Sequence, residues 1–273
     1  MRESVGLAGE DLDLGYHGKQ VVTGASLEIG AASVTALVGP NGSGKSTLLR
    51  ALARLHSADA GAITFPDGTS ALDLSAKDFA RRVTLLSQSR PTPNGVSVRD
   101  VVGYGRYPYR GRWRNDDPDG NAAITHAMDV TGVTAMADRA VDELSGGELQ
   151  RVWLATCLAQ DTGVLLLDEP TTFLDLRYQI EILDLMRDLA DDHGVAVGVV
   201  LHDLNQAAAV ADRIALLDQG RVRATGTPAE VLEADALSET YGIRIEVSTD
   251  PRTGLLSTQP VGKHLQRPTL QNT

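Results

Sequence analysis

Val34-Thr-Ala-Leu-Val-Gly-Pro-Asn-Gly-Ser-Gly-Lys-Ser-Thr47 opens on five residues with a strand signal and runs straight into a glycine-rich turn. A helical pattern follows from Lys45 to about Leu55, so the local order is strand, loop, helix. Within it Gly39, Pro40, Asn41, Gly42, Ser43, Gly44, Lys45, Ser46 and Thr47 fit G-x-x-x-x-G-K-[ST] in the context that gives the pattern meaning. Glycines let successive backbone N–H groups wrap an anion, and the helix N-terminus adds its dipole. Lys45 is placed to reach terminal phosphates and Ser46 to ligate Mg²⁺. Alone, this stretch specifies a nucleoside triphosphate and nothing finer.

Outward from the loop, β-like runs at about Leu7–Leu14 and Val21–Ile29 precede it. A weaker strand at Ala62–Phe65, a helix near Ser75–Arg82 and a strand at Val83–Leu86 follow, ending in Ser87 and Gln88. From Arg90 to Gln160 strand signals stop. Helical patterns at Ser97–Tyr104, Asn121–Val130 and Glu148–Gln160, separated by RGRWRNDDPDGN, read as a helical insertion. Short apolar runs at Val164–Leu167, Val195–Leu201 and Ile214–Leu217 then alternate with helices, the look of parallel strands buried on both faces. The expected organisation is an α/β nucleotide-binding core of 1–88 with 162–248, a helical subdomain of 89–161, and a C-terminal extension of 249–273. From about Gln259 periodicity is lost and fraying is expected.

Val164-Leu-Leu-Leu-Asp-Glu-Pro170 runs four apolar residues into two acids, at the strand end where α/β sheets place ligands. Beside a phosphate loop, Asp168 is placed to hold Mg²⁺ through water and Glu169 to act as general base on the attacking water. His202 follows the next apolar run and so emerges on the same edge, in reach of a γ-phosphate. Gln88, after another strand, is a candidate Mg²⁺ or water ligand. Tyr16 in LGYHG has two readings: an aromatic that stacks on adenine, or a plain sheet residue.

Leu144-Ser-Gly-Gly-Glu148 raises a separate question. Ser145 and Glu148 match the S-x-x-E capping box, which explains the serine and glutamate but not Gly146 and Gly147. Two glycines lower helix propensity in the first turn while allowing an anion to approach free N–H groups. Since one face of the nucleotide is already cradled, the element reads as a second phosphate site, used on the nucleotide of another copy in a head-to-tail dimer over two ATP molecules.

Composition sets the remaining bounds. With 25 Lys and Arg against 36 Asp and Glu in 273 residues, the net charge is −11, which disfavours general attraction to nucleic acid or anionic lipid. The start lacks a basic leader and an apolar h-region, and the longest apolar run, Gly194–Leu201, is well short of a span of ~18 residues, so a cytosolic chain is expected. Lone Cys157, in a helical period with Leu149, Val152, Trp153 and Thr156, reads as core. The basic and aromatic run Arg106–Arg114 reads as a docking surface for a permease loop, with a nucleic-acid patch and a solvated loop as alternatives.

GPNGSGKST, Gln88, LSGGE, VLLLDEP, Asp175 after TTFL, and His202, in this order, resemble an ATP-binding cassette ATPase from about Val5 to Val247. The resemblance implies a RecA-like core with an N-terminal antiparallel β-subdomain, interrupted by a helical signature subdomain. It also implies a homodimer beneath membrane permease subunits, at the cytoplasmic face of the membrane, served by a substrate-binding protein. Position by position, it makes Tyr16 the adenine-stacking aromatic, Lys45 and Ser46 the phosphate and Mg²⁺ contacts, and Gln88 the link to the permease. Ser145 and Gly147 become contacts to the opposite ATP, Asp168 the Mg²⁺-side acid, Glu169 the catalytic base, Asp175 a dimer contact and His202 the γ-phosphate switch. Glu148 departs from a frequent glutamine. SVRDVVGYGRYPY, DEPTTFLDLRYQIEILDLM and VLHDLNQAAAVADRIALLDQGRV are similar to importer cassettes for ferric siderophores, haem and vitamin B12, with the siderophore branch favoured through RYPY and TTFLDL.

Overall fold

The computed structural model describes residues 6–88, 90–110 and 117–262. The first third holds β1 (Leu7–Tyr16), β2 (Lys19–Ile29), β3 (Val34–Val38), α1 (Lys45–Leu52), β4 (Ala60–Thr64), α2 (Ala76–Ala80) and β5 (Val83–Leu86). The insertion is helical: α3 (Val98–Val102), α4 (Gly120–Val130) and α5 (Gly146–Ala159). The chain then alternates through β6 (Val164–Asp168), α6 (Leu176–Asp191), β7 (Ala196–Val200), α7 (Leu204–Val210), β8 (Arg213–Asp218) and β9 (Arg221–Gly226). It closes with α8 (Pro228–Val231), α9 (Ala234–Tyr241), β10 (Ile245–Thr249) and β11 (Leu256–Pro260).

Two sheets build the core. A six-stranded sheet runs β5-β6-β7-β3-β8-β9, parallel except for the β8–β9 pair. β3, β6 and β7 are buried at every position, which is why their sequences are continuous apolar runs rather than alternations. The antiparallel sheet β2-β1-β4 covers α1 on one face of the large sheet, sharing a core with Leu48, Leu49 and Leu52. α6 and α7 cover the other face through Leu183, Met186, Leu189 and Ala207. The helical insertion keeps a smaller core of its own around Val101, Met128, Val152 and Ala155. Cys157 is buried, as its helical period predicts.

The helix after the phosphate loop ends at Leu52, short of the expected Leu55, because Arg54 turns into the left-handed region at φ 57°. The C-terminal boundary needs a larger correction. Expected disorder from Gln259 and a cut at residue 249 both fall inside a hairpin, since β10 pairs antiparallel with β11 from Ile245↔Pro260 to Thr249↔Leu256. Asn205 of α7 holds it: its Oδ1 accepts from the Thr258 amide (2.7 Å) and hydroxyl (3.1 Å), and its Nδ2 donates to the Thr258 carbonyl (3.3 Å). Residues 263–273 of the expected frayed end lie outside the described residues.

Candidate active site

Four neighbouring strands, β5, β6, β7 and β3, end on one edge of the large sheet, and each delivers a sequence-predicted residue there. β3 feeds the phosphate loop, β5 leads to Gln88, β6 ends in Asp168 with Glu169 next, and β7 leads to His202. Ligands of parallel α/β sheets bind outside the carboxyl ends of the strands.

The phosphate loop is shaped for an anion. Gly39 has φ 144°, and a Cβ there would lie 2.0 Å from the Leu217 carbonyl oxygen, so only glycine fits. Among the described residues, the amides of Gly42, Gly44, Lys45 and Ser46 have no acceptor, and the buried Ser43 hydroxyl has no partner. Unpaired buried donors cost free energy unless a ligand takes them. Lys45 is buried and donates to the carbonyls of Gly39 (2.8 Å) and Pro40 (2.9 Å). Burial pushes its ammonium pKa down, while Glu169 and Asp168 push it back up. Asn41 is exposed and Thr47 half-buried on the same turn. Free amides, an orphan hydroxyl and a buried ammonium together fit a polyphosphate.

The carboxylates are held by residues from elsewhere. Asp168, buried, accepts from Ser46 Oγ (2.6 Å) and pairs with Arg50 Nη2 (3.1 Å). Arg50 was missed in the sequence, although it lies one helical turn beyond Ser46 on α1. Glu169 stands at φ 55°, a conformation unusual for a side-chain-bearing residue. His202 Nε2 meets its Oε1 at 2.6 Å, and Gln88 Nε2 donates to its Oε2 at 2.6 Å. Thr172, also missed, adds its hydroxyl at 3.3 Å. Ser46, Asp168 and the Gln88 amide form an oxygen-rich set that suits a hard cation such as Mg²⁺.

The second cradle lies away from this edge, at the start of α5. Ser145 accepts from the Glu148 amide (3.3 Å), and Glu148 Oε2 accepts from the Ser145 amide (2.8 Å), completing the capping box. Glu148 also pairs with Arg139 at 3.2 Å. Leu144 precedes the cap half-buried, while Ser145 and Gly146 are exposed. The amides of Gly146 and Gly147 have no acceptor among the described residues. Gly147 has a reason inside the chain that the sequence reading missed: a Cβ would lie 2.3 Å from Cγ of the Tyr178 ring. Asp175 caps α6 by accepting from the Tyr178 amide at 3.1 Å.

Two sequence readings change. Arg106 is no part of an exposed basic surface: only 4% exposed, it forms a fork with Asp117 (2.8 and 2.7 Å), donates to the Ala159 carbonyl and stacks on Tyr109. Its charge is consumed in joining the turn after α3 to α5. Tyr107 remains exposed, and residues 111–114 of that run lie outside the described residues. Tyr16 ends β1, 41% exposed, its ring centre 4.3 Å from that of His56, so it joins an aromatic pair rather than filling the sheet core.

Fold and site define a P-loop nucleoside triphosphatase: a glycine cradle with a buried lysine on one strand, and an acid, a base and a histidine on the strands beside it. The match to the ABC transporter family over residues 22–172 narrows this, and the chain belongs to that family as its ATP-binding, ATP-hydrolysing cassette. It is 43% identical over 267 residues to the ferric enterobactin transport ATP-binding protein FepC of Escherichia coli, covering 96% of this chain and 97% of that one. It is 47% identical over 243 residues to the hemin import ATP-binding protein HmuV of Streptomyces coelicolor, covering 89% and 85%. Among solved structures, an inward-facing metal-chelate type ABC transporter superposes with a TM-score of 0.81 at 25% identity, covering 95% of this chain and 98% of that one. No helix among the described residues is long and apolar enough to cross a membrane.

Proposed function

We propose that the chain is the ATPase subunit of an importer for ferric siderophore, working as a homodimer beneath permease subunits at the cytoplasmic face of the membrane. The single observation that carries the cargo is similarity along nearly the whole chain to a ferric siderophore cassette. The nucleotide-binding core is 1–88 with 162–248, and 89–161 is the signature subdomain. A substrate-binding protein delivers the chelate on the far side, and nucleic acid plays no part, in keeping with the net charge of −11.

In this reading the triphosphate sits in the loop from Gly39 to Thr47, taking up the free amides, and Lys45 turns from its two carbonyls to the terminal phosphates. Tyr16 stacks on the adenine. Ser46 and Asp168 would hold Mg²⁺, with Gln88 in reach, and the ion would neutralise charge on the β- and γ-phosphate oxygens. Glu169 accepts the proton of the attacking water, and His202, hydrogen-bonded to it, contacts the γ-phosphate. Gln88 carries the state of the site toward the permease. Ser145, Gly146 and Gly147 offer exposed hydroxyl and amide donors to the ATP of the second copy. Asp175 lies in the dimer contact, supported by its exposed apolar neighbours Phe173 (97%) and Leu176 (75%).

Haem is the second reading, favoured by the 47% identity to a hemin import cassette. Uptake of labelled ferric catecholate, haem and cobalamin, measured in the host after deleting the gene and restoring it, separates the two. Loss of catecholate uptake alone, restored by wild type and not by Glu169→Gln, is expected. Loss confined to haem or cobalamin would replace the cargo.

A further inference from the structure

We propose that His126 and His193 form a two-histidine site for a divalent transition-metal ion of the zinc class, which ties the helical insertion to the sheet core. His126 lies on α4, whose buried side packs within the insertion. His193 lies in the turn between α6 and β7, part of the sheet core. The two exposed rings meet edge to face, with centres 5.6 Å apart at 65°. Among the described residues, neither imidazole has a hydrogen-bond or ion-pair partner.

Geometry suits an ion between them. Two imidazoles that share one ion at ~2.1 Å from each nitrogen, at tetrahedral angles, have ring centres roughly 5 Å apart. The observed spacing is close to that, so ring rotation and a small approach suffice. Both rings line a 260 Å³ cavity between α4, α5 and α6, whose wall also carries Asp161 and Asp192. Carboxylates beside the ring nitrogens favour a cation over an anion, and water fills the remaining positions. Imidazole ligands select zinc, nickel or copper over magnesium, so the ion that accompanies ATP does not compete.

The site is separate from the nucleotide edge. His193 precedes β7 and His202 follows it, so the two lie at opposite ends of a five-residue strand, roughly 16 Å apart along the sheet. Occupancy joins two parts of the chain that otherwise meet across a cavity, and an ion bound only to the folded state raises its stability.

The test is titration of the untagged, metal-free full chain with zinc chloride in magnesium buffer, followed by calorimetry and melting temperature, for wild type, His126→Ala, His193→Ala and His202→Ala. Expected is saturable uptake of one ion per chain and an upward melting shift in wild type and His202→Ala. His126→Ala and His193→Ala should bind at least ~10-fold more weakly and lose the shift. Their metal-free melting temperature and MgATP turnover should match wild type, which shows that they fold. The proposal is overturned if wild type shows no saturable uptake, if the two single variants bind as wild type does, or if only His202→Ala loses the ion, which would place it at Glu169.

Discussion

Glu148 carries a negative charge on the turn where Ser145 and Gly146 present donors outward. The Ser145 amide and hydroxyl hold its carboxyl below the ordinary range, with Arg139 assisting. Such a depressed carboxyl stabilises the fold above its unfolded pKa, and the contribution is lost as pH falls through the lower folded value. Glu148→Gln keeps an acceptor for the Ser145 amide but binds no proton. Its stability should therefore fall less than that of wild type below pH 4.5, measured as urea midpoints against pH. Removing the charge near an incoming phosphate should also lower the KM for MgATP about 2–5-fold, from ~0.5–1 kcal/mol of helix-terminus electrostatics. An unchanged or raised KM would contradict a phosphate role for this turn. Gly147 shows a different control: its missing Cβ makes room for Tyr178, so Gly147→Ala should shift α6 against α5 and cost ~1–3 kcal/mol of stability, read by denaturant unfolding.

Elements differ in how far the sequence disclosed them. β3, β6 and β7 are legible because burial on both faces leaves an unbroken apolar run, and the chemistry sits in the residues immediately after each run. The phosphate loop, Asp168, Glu169, His202 and the α5 cap are local patterns, readable without knowing the fold. Contacts between distant residues were not legible: Arg50 with Asp168, Tyr178 on Gly147, and Asn205 with Thr258 join positions whose neighbours give no sign of the meeting. Arg106 failed for the same reason, since its partner Asp117 lies in a stretch that reads as a loop. The hairpin β10–β11 depends on one side chain of α7. Asn205→Ala should leave the Thr258 amide and carbonyl unpaired and destabilise the hairpin by ~1–3 kcal/mol. Hydrogen exchange should quicken in β11 while β3 and β7 keep their protection; equal protection throughout would refute the tether.

At the scale of the whole molecule, one sheet edge gathers the nucleotide chemistry and one helix start offers donors outward. This division explains why a single chain carries an anion cradle at each place: the loop of Gly39 to Thr47 is backed by its own acids, whereas the turn of Ser145 to Gly147 has none of them facing it. The central claim is that Lys45 anchors the phosphates and Glu169 takes the proton from water. Steady-state phosphate release from MgATP by wild type, Lys45→Ala and Glu169→Gln, each checked for folding by melting temperature, tests it most directly. We expect turnover by wild type, none from Lys45→Ala, and a loss of at least ~10²-fold in Glu169→Gln with nucleotide still bound. Turnover near the wild-type rate in Glu169→Gln would contradict the account.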